Sequence, residues 1–123
     1  VSITNMSVEE VQNSLAVYRA ASESVGSGII IGQNDSELLI ATNNHVVEGN
    51  DTLTVTFIDE ESVEANVKGT NSSKDLAVVA VNLNDIKDST KEEIAVATMG
   101  DSNEIQVGEP AIAIGNALGT DNP

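Results

Sequence analysis

The sequence predicts an all-β fold, a barrel or a sandwich of short strands, and three observations carry that expectation. Short apolar runs recur along the chain, separated by clusters of Gly, Asn, Asp and Ser, at the roughly 8–12-residue spacing of small β domains. Leu53, Val55 and Phe57 alternate with Thr52, Thr54 and Thr56, the period of a half-buried strand. No regular exchange of strand and helix patterns runs through the chain, which argues against a parallel α/β sheet. The 123 residues suit one domain, large enough to bury most of its apolar surface without staples. Tyr18 and Phe57 are the only aromatics, so the core must be built from Val, Ile, Leu and Ala.

Val1 to Thr4 reads as a short strand. Met6 to Ala21 reads two ways. Val8, Val11, Leu15 and Tyr18 stand three or four apart, a helical spacing with Ser7 as cap and Glu10 closing a capping box; the alternative is a long loop. Val25 to Gly32 reads as a buried strand entered through small residues, and Gln33 to Ser36 as a hairpin turn. Glu37 to Thr42 is the returning strand, and His45 to Glu48 a single helical turn closed by Gly49 and Asn50. Thr52 to Ile58 is the alternating strand, followed by a turn at Asp59 to Ser62. Val63, Ala65 and Val67 then alternate to complete a hairpin. Gly69 to Lys74 is a loop, and Leu76 to Leu83, nearly continuous in apolar residues, is a central strand. Asn84 to Glu93 is a charged surface excursion. Ile94 to Ala97 and Ala111 to Gly115 are the last two strands expected.

Charge and composition exclude several functions. Twenty acidic residues against five basic ones give a net charge of −15, a surface that repels phosphate backbones and anionic membranes. Nucleic acid is therefore not expected as a partner. With no cysteine there are no disulfides or thiolate metal sites. The acidic stretches lack the spacing of a calcium loop, and no cofactor is expected. No apolar run approaches the ~20 residues of a membrane helix. The chain opens on Val1-Ser2-Ile3-Thr4 without a leader, which reads as a cut inside a longer protein.

The chemistry concentrates at two points. The single histidine, His45, stands where the strand Leu38 to Thr42 runs out, and Asp75 stands at the mouth of the strand that begins at Leu76. A Ser-His-Asp peptidase places its base and the carboxylate that orients the base in this way. An imidazole titrates near neutral pH, so it can take a hydroxyl proton and return it to a leaving amine. A carboxylate before a long apolar strand is costly unless paired, so Asp75 is expected to be buried and bonded to His45. Alone, His45 would read as a structural histidine and Asp75 as a turn residue. Ser27, Ser72, Ser73 and Ser102 are not credible nucleophiles: Ser27 lies in a core strand without an elbow turn, and the others read as turn serines.

These residues resemble the HtrA (DegP-like) family of trypsin-like serine proteases. Gly26-Ser27-Gly28-Ile29-Ile30-Ile31 is similar to the family's Gly-Ser-Gly strand. Thr42 to Val47 is similar to its histidine motif, and Lys74-Asp75-Leu76-Ala77-Val78 to its aspartate motif. Gly100-Asp101-Ser102, Val107-Gly108-Glu109 and Ala113 to Gly119 resemble the landmarks that follow. The resemblance implies a six-stranded antiparallel Greek-key barrel over residues 1–123, the first of two barrels, with the second barrel and any peptide-binding (PDZ) domain lying beyond it. It implies a serine endopeptidase in which His45 is the general base and Asp75 its orienting partner. The family's Gly-Asn-Ser-Gly-Gly nucleophile run does not occur in these 123 residues, so the fragment is expected to be inactive alone. The implied partners are misfolded or unfolded polypeptides, the second barrel, and further copies in a trimer-based homo-oligomer; the implied location is extracytoplasmic, with a membrane tether left open. Residues 5–24 correspond to a variable loop used in some members for regulation or assembly. Two other readings stand beside this one: a non-catalytic peptide-binding or scaffold barrel in which His45 and Asp75 are relics, and a generic acidic β-barrel with no active site.

Overall fold

The computed structural model describes residues 1–12, 17–49 and 52–116. Strands β1 (Ser2–Gln12), β2 (Val17–Ser27), β3 (Ile29–Gln33) and β4 (Glu37–Thr42) lead into a single helical turn, α1 (Asn44–Val47). Strands β5 (Thr52–Thr56), β6 (Ser62–Glu64), β7 (Asn66–Asn71) and β8 (Leu76–Asn82) follow, then a 3₁₀ turn at Leu83–Asp85 and the short helix α2 (Asp88–Lys91). The strands form two four-stranded antiparallel sheets, ordered β2-β1-β5-β6 and β3-β4-β8-β7.

The expected all-β class is present, but the described residues form two sheets with eight strand segments rather than a closed six-stranded barrel. Two runs expected to be single strands break where the chain passes from one sheet to the other. The first break is at Gly28, between β2 and β3, so the strand expected over Val25 to Gly32 spans a corner. The second is at Ala65, which divides the alternating Val63-Ala65-Val67 run into β6 in one sheet and β7 in the other. Strands that switch sheets make the corners of such packings. Glycine is needed at the first corner because a Cβ on residue 28 would lie 2.7 Å from Ile40 Cγ2 and 2.8 Å from Ile3 Cδ1.

Alternation places the core between the sheets. Leu38, Ile40 and Thr42 of β4 are buried, as are Leu53 and Val55 of β5, with Phe57 just beyond it. Ala77, Val79 and Val81 do the same from β8, which lies between β4 and β7 as expected of a central strand. Ile3, Val46, Val47 and Ile86 complete one apolar cluster. Burial of each such side chain stabilises the fold by about 1.5–3 kcal/mol.

Other expectations need correction. Over Met6 to Ala21 the described residues are strand, neither helix nor loop: β1 and β2 pair antiparallel from Ser2↔Ser27 to Gln12↔Val17, so strand pairing overrides the weak three-and-four spacing. Leu15 lies outside the described residues. The loop expected over Gly69 to Lys74 is strand as far as Asn71, because β7 continues its ladder with β8 up to Asn71↔Leu76. Within the Asn84 to Glu93 excursion Thr90 is buried, its hydroxyl donating to Asp59 Oδ2 at 2.6 Å. Ile94 to Ala97 is not a strand; Ala97 N–H donates to Ile30 C=O at 2.8 Å, beside a register shift between Ile30 and Gly32. Ala111 to Gly115 is not a strand and pairs with none among the described residues, and Ile112 and Ile114 are exposed. A strand needs a ladder partner as well as an apolar pattern. Of the expected Ala113–Gly119 landmark and the terminal turn, residues 117–123 lie outside the described part.

Candidate active site

The β-ladder brings His45 and Asp75 together. β4 and β8 run antiparallel with Thr42 opposite Ala77. In that register the chain leaving β4 passes beside the chain entering β8. His45, three residues past Thr42, thus reaches Asp75, two residues before Ala77. Thr42 also ties the end of β4 to the Gly28 corner, its Oγ1 donating to Ser27 C=O at 2.8 Å.

Each residue is delivered by local chemistry. On the histidine side, α1 buries Val46 and Val47 in the core and leaves His45 facing out, its side chain 68% exposed. The C-terminal end of α1 is fastened by side chains from the other sheet. Asn5 Nδ2 donates to both Val46 C=O and Glu48 C=O at 3.0 Å, and Ser24 Oγ donates to Val46 C=O at 3.1 Å. On the aspartate side, Asn71 Oδ1 accepts from Ser73 Oγ (2.7 Å) and Lys74 N–H (3.2 Å), the turn chemistry that Asn favours. That turn ends on Asp75 in the left-handed region, φ 53°.

His45 Nδ1 lies 2.6 Å from Asp75 Oδ2, and His45 backbone N–H donates to Asp75 Oδ1 at 2.9 Å. Both carboxylate oxygens therefore face one residue. The backbone N–H of His45, then the bond to its ring, hold the Asp75 carboxyl below the usual carboxylate range. An ionised carboxylate only accepts, so Nδ1 carries the proton and the Nε2 lone pair is directed away from Asp75. That is the tautomer a general base requires. The expected burial of Asp75 is not found: its side chain is 45% exposed, because the carboxylate lies at the strand mouth and not inside the core. Its charge is offset there by direct hydrogen bonds.

Of the serines weighed as nucleophiles, Ser27 Oγ donates to Ile114 C=O and Ser73 Oγ to Asn71 Oδ1. Among the described residues no hydroxyl is hydrogen-bonded to His45. Sequence reasoning assigned no role to Asn5 and Ser24, whose bonds to α1 span 41 and 22 residues; no spacing rule reaches across two sheets. Asn43 donates from Nδ2 to Asp75 C=O at 2.9 Å; it lies within the histidine motif, and its amide is the signal the sequence offers.

Two antiparallel β-sheets joined at corners, with an imidazole and a carboxylate paired at a strand mouth, define a protein of the trypsin-like class. The family model for the trypsin-like peptidase domain matches residues 26–123. The HtrA-like serine protease of Staphylococcus aureus (strain USA300) is 38% identical over 109 residues, covering 89% of this chain and 13% of that protein; the protein from strain COL matches to the same extent. The solved structure of the HtrA-type protease AlgW with a decapeptide superimposes with a TM-score of 0.65 at 25% identity, over 96% of this chain and 38% of that one. This chain belongs to the HtrA family of trypsin-like serine proteases. It spans about 13% of the curated relatives it matches.

Proposed function

We propose that this chain is the base-bearing, amino-terminal barrel of an HtrA-type serine endopeptidase acting on unfolded or misfolded polypeptides. The observation that carries the reading is the double engagement of Asp75: Oδ2 on His45 Nδ1 at 2.6 Å and Oδ1 on His45 N–H at 2.9 Å. His45 Nε2 takes the proton of a serine hydroxyl as its oxygen attacks the scissile carbonyl. Asp75 stabilises the imidazolium that forms, and the same proton passes to the leaving amine. Water then repeats the sequence on the acyl-enzyme. The serine and the oxyanion donors come from a second barrel, so the 123 residues alone are inactive.

The second barrel is also the partner proposed for the exposed apolar face. Ile29, Ile58, Ile112 and Ile114, all exposed, line a groove of about 800 Å³. Exposed apolar surface of this kind marks interaction sites. The proposal extends to assembly into a trimer-based homo-oligomer and to an extracytoplasmic location. That a relative was solved with a decapeptide supports a polypeptide ligand.

The test is casein hydrolysis by the longest natural protein that contains this chain, with His45→Ala as control and the 123-residue chain alongside. Hydrolysis by the wild type alone is expected, with a loss of about 10⁴-fold or more in the variant. Undiminished hydrolysis by His45→Ala refutes the base assignment. No hydrolysis by folded wild type favours the non-catalytic peptide-binding barrel.

A further inference from the structure

Asn43 occupies the N-cap position of α1 with extended backbone, φ −97° and ψ 146°. An Asn at that position ordinarily accepts a hydrogen bond from a helix N–H two or three residues on. Its side chain makes no such bond. It turns instead across the gap between strands, and Nδ2 donates to Asp75 C=O at 2.9 Å.

Asp75 has unusual need of an anchor. Its left-handed backbone, φ 53°, disfavours a residue with a Cβ and persists where surrounding contacts fix it. On its amino-terminal side the backbone is held by one long bond, Asp75 N–H to Ser72 C=O at 3.3 Å. On the other side the carbonyl is held by Asn43.

We propose that Asn43 is a positioning residue for the His45–Asp75 pair: it gives up its cap to hold the Asp75 carbonyl, and through that peptide plane keeps the carboxylate aimed at His45 Nδ1. The two arms reach Asp75 from the same short segment. Asn43 grips the main-chain carbonyl while His45, two residues on, engages the carboxylate. Rotation of Asp75 about φ moves both together, so fixing one restrains the other. Asn43 touches neither ring nitrogen and acts only through Asp75. The proposal rests on the reading of His45 as the base.

The single histidine makes the test clean. In the 123-residue chain, imidazole ¹⁵N shifts on the alkaline side of the histidine titration report the ring tautomer, and Asp75 ¹³Cγ reports its carboxyl titration. Asn43→Ala, Asn43→Asp, Asn43→Gln and Asp75→Asn are compared with wild type, and amide spectra check the fold. Wild type is expected mainly as the Nδ1–H form. Asp75→Asn lowers that share to a minority. Asn43→Ala and Asn43→Asp lower it at least about twofold and move the Asp75 midpoint up towards the ordinary value of 3.8; Asn43→Gln, which keeps the donor, retains more of the wild-type signal than Asn43→Ala. If Asn43→Ala does not fold, the Asp and Gln variants decide between donor and no donor. An unchanged tautomer and Asp75 midpoint in the Asn43 variants, with a clear response to Asp75→Asn, overturns the role of Asn43 and leaves the base reading standing. No response to Asp75→Asn overturns the pairing itself.

Discussion

Gly26 tests how tightly the turn that carries His45 is packed. It is buried, paired with Ile3 across the β1–β2 ladder, and its Cα faces Val46, the residue after His45. A Cβ at position 26 would lie 2.5 Å from Val46 Cγ2, 3.2 Å from Cγ1 and 3.4 Å from Cβ. Val46 has little room to retreat. It is β-branched, with one strongly preferred χ1 in a helix; it is 2% exposed; and its carbonyl is gripped by Asn5 and Ser24. Overpacking of this kind costs about 1–3 kcal/mol. Replacing glycine by alanine also narrows the unfolded ensemble, which returns about 0.4–1 kcal/mol where the backbone is compatible. Gly26 is not among the positive-φ glycines, so that gain applies. Gly26→Ala should therefore destabilise the chain by about 1.3 kcal/mol, the middle of a range from roughly 0 to 2.6 kcal/mol, a drop of several degrees in Tm for a domain of this size. Urea unfolding followed by far-ultraviolet circular dichroism measures it. Val46→Ala removes the obstructing methyls, so the double variant should lose less than the sum of the two singles, with a coupling of at least about 0.5 kcal/mol. A stabilising Gly26→Ala, or strict additivity with Val46→Ala, would refute this account of the packing.

Two further predictions address the elements around the site. The Asp59 carboxyl is held below its ordinary value of 3.8, chiefly by the Thr90 hydroxyl. A depressed folded pKa adds stability above the unfolded pKa that is lost as pH falls through the folded one. Thr90→Val should accordingly be less stable than wild type at neutral pH, and the gap should narrow as pH falls below about 4; denaturant midpoints across that range check it, and a gap that widens on acidification refutes it. Asn5→Leu removes the donor to Glu48 C=O and one of two donors to Val46 C=O. It should cost about 1–3 kcal/mol in the same unfolding assay, and an unchanged stability would show that the Asn5 bonds add nothing to the hold of Ser24 and the buried valines on the end of α1.

The sequence by itself determined the β class, the strands around the candidate site and the two residues, His45 and Asp75, that the structure brings together there. These were legible because each rests on a local signal. Alternation over Thr52 to Phe57 and Glu37 to Thr42 reports burial on one face. Polar clusters report turns, and the single histidine stands at one strand mouth with Asp75 at the mouth of another. Tertiary structure decided what depends on partners distant in sequence. That Met6 to Gln12 and Val17 to Ala21 form strand was set by the β1–β2 pairing, not by the periodicity of the segment. The bends at Gly28 and Ala65 exist because one chain segment must serve two sheets, which alternation within the segment does not encode. Ala111 to Gly115 carries a strand's apolar pattern without a ladder among the described residues. At the site, the 2.6 Å approach of His45 to Asp75 follows from the β4–β8 register, and the grips of Asn5, Ser24 and Asn43 follow from the same assembly. Residue type chose the chemistry; hydrogen-bonded register across the sheets set its geometry.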